Sequence, residues 1–232
     1  ERFAESGVRL ARAGASVIGG CCRTTPEHIR VLKETLSGMP LPAPAAPDYT
    51  PLASRSRLVA SGPERPFLII GERINVSRKS PIKDDAARYS WSSSREEARL
   101  QAEAGAGAID VNVGLPQIDR VRAMSECADA VSQAVDLPLS LDSDDIGVLQ
   151  AGLRSTVGIP ILNSVTAKHA ALTRGLELAK RWGTNLVVLT IDEDGVPSTA
   201  EGRIAIAQKI AGEADRIGVP RSALFVDCLS MA

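Results

Sequence analysis

The sequence is poor in aromatic residues and carries almost no net charge. Only 3% of its 232 residues are Phe, Trp or Tyr, and the formal net charge is -1 at pH 7. Proteins that bind nucleic acids need a basic surface for the phosphates and often stack aromatic side chains on the bases. The composition therefore argues against nucleic acid as a partner.

Long apolar stretches are also absent. No apolar run approaches the roughly 20 residues that a membrane-spanning helix needs, and the charged opening ERFAESGVRLARAG does not resemble a signal peptide. We therefore expect a cytoplasmic protein with no membrane segment. Because the chain starts at Glu1, without Met, inside a helical pattern that has no N-cap before it, we also expect it to be part of a longer protein.

Cysteine is scarce, with four residues in the whole chain, so the protein is not a disulfide scaffold. Two of the four, Cys21 and Cys22, are adjacent and follow a Gly-Gly pair in the stretch SVIGGCCRTTPEHI. Adjacent cysteines can bind one zinc ion where glycines let the backbone turn, but they can equally be small buried residues. The pattern alone leaves both interpretations open. We expect Cys127 and Cys228, which lie in apolar segments, to belong to the core.

Three regions of different composition follow one another along the chain. Residues 1–38 are predicted to form a helix, a strand at ASVIGG, and a second helix with Thr25 as its N-cap and Pro26 at its first position. Residues 39–66 are dense in Pro, Ala and Ser without a helical or alternating pattern, which is typical of a semi-rigid linker. Residues 67–232 have a regular pattern and are expected to form the main domain.

The main domain alternates short apolar runs with amphipathic segments of helical length. The continuous apolar character of the runs indicates strands that are buried on both faces of a parallel sheet. This order predicts an α/β protein, either a doubly wound sheet or a (β/α)8 barrel of which six strands are visible. The first strand is not followed by G-x-G-x-x-G, so a Rossmann dinucleotide site has little support. The six predicted strands are FLIIGER, AIDVNV, PLSLDS, IPILNS, NLVVLTID and ALFVDCL.

Each predicted strand carries a polar residue at or near its C-terminal edge. A single Asp at a strand end is commonly a helix N-cap or a turn residue. Six successive strands that end this way favour a shared site, because barrel active sites are built from the carboxyl ends of several strands. The residues are Glu72, Arg73, Asp110, Asn112, Asp142, Ser143, Asn163, Ser164, Asp192 and Asp227.

Several motifs make the chain resemble known families. LIIGERIN, GAGAIDVNVG, PLSLDSDD, PILNSV and LFVDCL, in this order, are similar to the pterin-binding barrel of the methyltetrahydrofolate:corrinoid methyltransferases. GGCCRTTPEHI resembles the last strand and helix of the zinc-dependent homocysteine S-methyltransferase barrel, although Arg23 stands where that family usually has Gly. The two modules in this order resemble the family of cobalamin-dependent methionine synthases.

The resemblance implies a fold and a domain arrangement. Residues 67–232 are expected to form a (β/α)8 TIM barrel of the pterin-binding, dihydropteroate synthase-like type, truncated after about six strands. Residues 1–38 are expected to be the last β/α unit of a homocysteine S-methyltransferase barrel, joined to the second barrel by the linker. The resemblance also implies that Cys21 and Cys22 are two of three zinc thiolates, the third lying upstream of this chain.

The resemblance further implies a substrate and its binding residues. A pterin presents an amide N–H and an exocyclic amine along one edge, so a carboxylate can accept two parallel hydrogen bonds from it while an Asn amide both donates and accepts. By resemblance, the pterin-binding residues are Asp142, Asn163 and Asp227, and we add Asp110 and Asn112 as further candidates.

The implied reaction transfers the methyl group of 5-methyltetrahydrofolate to cob(I)alamin, held by a separate cobalamin-binding domain, and then to homocysteine at the upstream domain. No catalytic side chain is assigned, because the nucleophile belongs to the cofactor and both histidines, His28 and His169, lie in predicted helices away from the strand ends. Three alternatives stay open: another final methyl acceptor, a dihydropteroate synthase-like enzyme, and a pterin-binding segment without turnover. The second is disfavoured because NVSRKSPIKDD does not match the Asp-Ser-Phe type motif of dihydropteroate synthases.

Overall fold

The chain folds into two units, Glu1–Pro47 and Asp48–Ala232. The computed structural model describes residues 2–40, 48–77 and 80–229. We call the two parts the first unit and the second unit.

The first unit contains two helices, α1 (Arg2–Arg12) and α2 (Pro26–Leu36). Helix α2 begins where the sequence predicts. The hydroxyl oxygen of Thr25 accepts a hydrogen bond from the His28 backbone N–H (3.4 Å), and the Thr25 backbone N–H donates to the His28 ring (3.2 Å). This reciprocal capping satisfies backbone donors that a helix leaves free at its start. The two helices pack through small buried residues of α1 and the buried Leu32 of α2.

The segment between these helices differs from the prediction. Residues 15–20, expected to be a strand, pair with no other strand in the described part of the chain, and Val17 is 93% exposed. A strand persists where a neighbour takes up its backbone hydrogen bonds. Since the described residues of the first unit offer no strand as a partner, the apolar pattern at 15–20 does not produce a strand here.

A six-stranded parallel sheet forms the centre of the second unit. Its strands lie side by side in the order in which they occur in the chain. Sequential parallel order with helical connections is the arrangement of a (β/α)8 barrel, whereas a doubly wound sheet reverses its strand order partway. The predicted fold class is therefore confirmed. The strands are the antiparallel pair β1 (Thr50–Ala53) and β2 (Leu58–Ser61), followed by the parallel set β3 (Ile70–Asn75), β4 (Ala108–Asn112), β5 (Leu139–Asp142), β6 (Ile161–Thr166), β7 (Asn185–Leu189) and β8 (Leu224–Asp227).

Helices connect the parallel strands and bury their apolar faces. In the helix after β4, for example, Met124, Cys127 and Val131 are all buried, which is the three-and-four spacing expected of a core-facing helix. Among the helices of the described residues, none combines the length and the apolar character that crossing a bilayer requires. The helices are α3 (Pro81–Ala86), α4 (Ser92–Glu103), α5 (Arg120–Ala134), α6 (Ile146–Ser155), α7 (His169–Trp182) and α8 (Ala200–Ile217), with a 3₁₀ turn at Arg221–Ala223.

Two glycines let helices approach the strands closely. A Cβ added at Gly152 of α6 would lie 2.9 Å from Leu141 Cδ1 of β5 and 3.0 Å from Met124 Cγ of α5. A Cβ at Gly175 of α7 would lie 2.8 Å from Val165 Cγ1 of β6. Close-packed interiors do not accommodate such overlaps without displacement. Leu141 and Val165 therefore face the helical layer, and the residues that alternate with Leu141 along β5 face the other side of the sheet.

Part of the segment that the sequence assigns to a linker is folded. Strands β1 and β2 form a hairpin in which Leu52 is fully buried. The Asn185 side chain donates to the Pro51 carbonyl (2.9 Å), and the Asp136 carboxylate accepts from the Ser54 hydroxyl (2.7 Å). The hairpin is not evident from the Pro-rich composition, because a single buried leucine provides its apolar anchor. Proline does not prevent it, since proline is compatible with a two-stranded edge.

The hairpin lies at the amino ends of the parallel strands. Asn185 is the first residue of β7, and Ile159, just before β6, exchanges two backbone hydrogen bonds with Ala53 (3.1 and 2.9 Å). In barrels this end contributes stability, and the opposite end carries the functional groups. The hairpin is thus part of the second unit, while residues 41–47 of the expected linker lie outside the described residues.

We predict that the hairpin stabilises the second unit through Leu52. Leu52→Ala should lower the free energy of unfolding by about 2–5 kcal/mol, because it leaves a cavity at a fully buried position. The matched control is Leu58→Ala in the partner strand, where the side chain is 58% exposed and the loss should be within about 0.5 kcal/mol. Urea denaturation of the chain measures both. Equal losses for the two variants would mean that the hairpin does not pack on the sheet.

Candidate functional site

Polar side chains from three neighbouring strands meet at the carboxyl end of the parallel sheet. Asp110 and Asn112 lie on β4, Asp142 ends β5, and Asn163 lies on β6. Asp142 and Asn163 are direct partners in the strand register. Because Leu141 faces the helices, Asp142 faces the opposite side of the sheet, as alternation along a strand requires.

One hydrogen-bonded group is centred on Asp110, which is only 1% exposed. Its Oδ1 atom accepts hydrogen bonds from the Ser140 hydroxyl (2.6 Å) and from the Asn163 side-chain amide (3.1 Å). Its Oδ2 atom is buried and has no partner among the described residues. A buried acceptor without a partner is costly to maintain, so Asp110 is a candidate for a functional rather than a purely structural role.

A second group joins Asn112 and Asp142. The Asn112 amide donates to Asp142 Oδ2 (2.7 Å) while Asn112 Oδ1 accepts from the Gly114 backbone N–H (3.3 Å). The backbone contact holds the Asn112 carbonyl, so the amide nitrogen is turned toward Asp142. Among the described residues, Asp142 Oδ1 accepts no hydrogen bond, which leaves one carboxylate oxygen for a ligand.

The site is acidic, and burial raises the pKa of its carboxyl groups. Burial is the main reason that the pKa of Asp110 rises from 3.8 to about 6; the hydrogen bonds from Ser140 and Asn163 oppose the rise, and the charges of Asp142 and Glu72 add to it. The pKa of Asp142 is also raised, again mainly by burial. Shifts of this kind concentrate at functional sites.

Asp227 lies apart from this group in the hydrogen-bond network. It ends β8, pairs with Leu189 of β7 in the register, and is exposed. Its Oδ1 accepts from the Leu229 backbone N–H (2.7 Å). In the described ranges it makes no hydrogen bond to the polar residues of β4, β5 or β6, although it lies at the same carboxyl edge of the sheet.

Asp192, which the sequence leaves undecided between a site and a turn, forms a turn. Its side chain accepts from the Asp194 backbone N–H (3.0 Å), and its backbone exchanges two hydrogen bonds with Gly195 (both 3.2 Å). This loop geometry is typical of an Asp that shapes its own turn. Within the described parts of the chain, Asp192 makes no hydrogen bond to the buried polar group.

Sequence reasoning missed Ser140. It is 1% exposed and donates the shortest of the hydrogen bonds to Asp110. The signal was present, because Ser140 precedes Asp142 by two positions in LSLD and residues two apart share one face of a strand. Ser140, a small polar residue between two leucines, is therefore expected on the same face of the strand as Asp142.

The cysteine pair of the first unit is exposed and its two sulfurs are close. Cys21 Sγ and Cys22 Sγ lie 3.6 Å apart, and hydrogen bonds from the backbone and side chain of Cys22 lower the pKa of the Cys21 thiol. Two sulfurs bound about 2.3 Å from one tetrahedral zinc would lie about 3.8 Å apart. The pair therefore fits two adjacent zinc ligands. In the described residues no group of three or more metal-ligating side chains occurs.

The other two cysteines differ from each other. Cys127 is buried in α5, as expected, and burial raises its pKa to about 12. Cys228, also expected in the core, is exposed. It directly follows β8, whose last two residues, Val226 and Asp227, are exposed as well.

Comparisons with known proteins agree with the division into two parts. The family model described as "Pterin binding enzyme" matches residues 71–232, and the one described as "Homocysteine S-methyltransferase" matches residues 1–36. The methionine synthase of Mycobacterium leprae (strain TN) is 30% identical over 232 residues, and that of Mycobacterium tuberculosis (strain ATCC 25618 / H37Rv) is 28% identical over 227. Each match covers 95% of this chain but only 19% of the relative's length.

Solved structures show the same fold. Dihydropteroate synthase from Xanthomonas albilineans, in complex with indole-2-carboxylic acid and 6-chloroguanine, superposes with a TM-score of 0.56 at 19% identity, covering 77% of this chain and 64% of that one. Yersinia pestis DHPS, with a pterine-sulfa conjugate, gives a TM-score of 0.52 at 17% identity, covering 76% and 65%. At this level of identity the likeness concerns the fold alone. The family match, by contrast, extends over more than half of the sequence, and the chain therefore belongs to the pterin binding enzyme family.

Proposed function

We propose that the second unit binds the pterin ring of a folate and transfers the methyl group of 5-methyltetrahydrofolate to cob(I)alamin. The proposal is based mainly on two carboxyl–amide hydrogen bonds at three adjacent strands. One joins Asp110 and Asn163, and the other joins Asn112 and Asp142. Family membership and the similarity to methionine synthases support the same substrate class.

The chemistry of the site suits the edge of a pterin. That edge offers an amide N–H and an exocyclic amine, both of which donate hydrogen bonds to carboxylate oxygens. Asp142 supplies an oxygen with no partner among the described residues, and Asn163 keeps its carbonyl oxygen for the ring. We assign Asp227 as a third contact, because it lies at the same edge of the sheet two strands away from β6.

The protein's part in the reaction is to bind and orient the substrate. The nucleophile that accepts the methyl group belongs to the corrinoid, which another domain holds. The second unit holds the pterin at a fixed position at the carboxyl end of the parallel strands, so that the methyl group has one orientation. We assign no side chain as the acid that protonates N5 of the folate.

We also propose that the first unit belongs to a homocysteine S-methyltransferase module, so that the methyl group ends on homocysteine and gives methionine. The match of residues 1–36 supports this assignment. Zinc would be held there by Cys21 and Cys22, whose sulfur separation fits two adjacent ligands, and it would activate the homocysteine thiol as a thiolate. A further ligand would come from outside the described residues.

The pterin assignment predicts that Asp142 is required for folate binding. Asp142→Asn should weaken the binding of 5-methyltetrahydrofolate by about 2 kcal/mol, roughly 30-fold, because an N–H donor replaces an acceptor at the ligand edge. Asp129→Asn is the matched control, with the same change of charge at an exposed carboxylate of α5 that pairs with Gln133 (2.8 Å). Titration calorimetry measures both. Wild-type affinity in Asp142→Asn would remove this residue from the site.

The zinc assignment predicts weak binding that depends on the cysteine pair. With two protein ligands the chain should bind zinc weakly, and Cys21→Ser should abolish that binding, because zinc affinity depends on the number of thiolates. Cys228→Ser, which removes another exposed thiol, is the control and should change nothing. Competition with a chromogenic chelator measures the affinity.

The same zinc experiment tests whether the two sites are separate. Removing the metal should leave the affinity for 5-methyltetrahydrofolate unchanged, because the candidate pterin site contains no cysteine. Zinc binding that survives Cys21→Ser, or folate binding that falls with chelation, would contradict the assignment of the metal to the first unit.

A further inference from the structure

The buried carboxyl of Asp110 is bonded in an asymmetric way. One oxygen accepts two hydrogen bonds, from Ser140 (2.6 Å) and Asn163 (3.1 Å), and the other accepts none from the described residues. The residue is 1% exposed, so it lies beneath the partly exposed Asn163 rather than at the open surface. A ligand that enters from the open edge of the sheet would therefore meet Asn163 first.

The contact with Asp110 determines how the Asn163 amide is oriented. An asparagine side chain has a carbonyl oxygen and an NH₂ group of nearly equal size, and its orientation is set by its hydrogen-bond partners. With the NH₂ toward Asp110 the contact is attractive, whereas a flipped amide would place two acceptor oxygens together. Asp110 thus accepts one N–H of the Asn163 amide, fixes its orientation, and leaves the carbonyl oxygen and the second N–H for a ligand.

We propose that Asp110 is a positioning residue, which acts on the pterin through Asn163 by holding its carbonyl oxygen ready to accept a hydrogen bond from the ring. This assignment rests on the proposed function of the second unit. It differs from the direct ligand role for which Asp110 is a further candidate in the sequence, because the residue contributes to binding without touching the substrate.

The charges around Asp110 are consistent with this role. The titratable groups that act on it are Glu72 of β3 and Asp142 of β5, both acidic, while β6 contributes the neutral Asn163. With no cation among these groups, the negative charge of Asp110 is offset by the two hydrogen bonds alone. A charged acceptor makes a stronger bond than a neutral one, so the ionised form holds the amide more firmly.

The test is a set of affinities for 5-methyltetrahydrofolate, measured by calorimetry on variants of the full chain. Asp110→Ala removes the acceptor and should weaken binding about tenfold or more. Asp110→Asn keeps an oxygen that can accept from Ser140 and Asn163, and its affinity should stay within about threefold of the wild type. Asp129→Asn, at an exposed carboxylate outside the site, is the control and should leave the affinity unchanged.

A double-mutant cycle separates positioning from direct contact. In an Asn163→Ala background, Asp110→Ala should have little further effect, because the residue through which it acts is gone. Near-ultraviolet circular dichroism checks that each variant is folded. Asp110→Leu, which fills the buried position but has no acceptor, replaces Asp110→Ala if the smaller side chain does not support the fold, and it should show the same loss.

Three results with the variants would overturn the positioning role and leave the proposed function standing. If Asp110→Asn binds as weakly as Asp110→Ala, the unpaired oxygen contacts the ligand directly. If the effects of Asp110→Ala and Asn163→Ala simply add, the two residues act independently. If Asp110→Ala binds like the wild type, the residue has no part in binding, and the proposed function stands. Wild-type protein that binds no folate would instead overturn the proposed function, and the positioning role with it.

Discussion

A carboxyl group buried between parallel strands is the constraint on which the candidate site depends. The pKa of Asp110 rises from 3.8 to about 6 in the folded chain, and each pKa unit corresponds to about 1.4 kcal/mol, so about 3 kcal/mol of stability is linked to its proton. That contribution is fully present below about pH 4 and is lost as the pH rises through about 6. At neutral pH the fold must therefore hold a carboxylate that burial disfavours, and the donors of Ser140 and Asn163 offset part of this cost.

A site of this kind requires a rigid frame. The second unit supplies one through the helices on one face of the sheet and the hairpin at the amino ends of its strands. Outside, the absence of a side chain at Gly152 and Gly175 lets α6 and α7 pack against Leu141 and Val165. Along β5, alternation then directs Ser140 and Asp142 to the opposite face of the sheet. At the opposite end, the hairpin holds the starts of the strands with Leu52 as its buried anchor. The carboxyl ends are thus left free for ligand contacts, as in other barrels.

Structural features that depend on repeated local patterns could be predicted from the sequence, whereas features that depend on single contacts could not. Continuous apolar strands and polar strand ends recur six times, so the parallel barrel and the meeting of Asp110 with Asn163 could be anticipated. The hairpin was missed because Leu52 is one apolar residue in a Pro-rich segment. The structure has no strand at 15–20 and leaves Cys228 exposed, because strand pairing and burial depend on tertiary contacts that a local pattern does not reveal.

The balance of donors and acceptors narrows the kind of ligand that the site can take. Asp142 keeps an acceptor oxygen that no described residue uses, and Glu72 adds a further negative charge nearby. The amide nitrogens of Asn112 and Asn163 each donate one of their two N–H groups to a carboxylate within the site. What remains for a ligand is mainly acceptors, so an anionic or acceptor-rich edge would be repelled, and a donor-rich edge would be bound. An amide N–H beside an exocyclic amine meets this requirement, because both groups donate in the same direction toward one carboxylate.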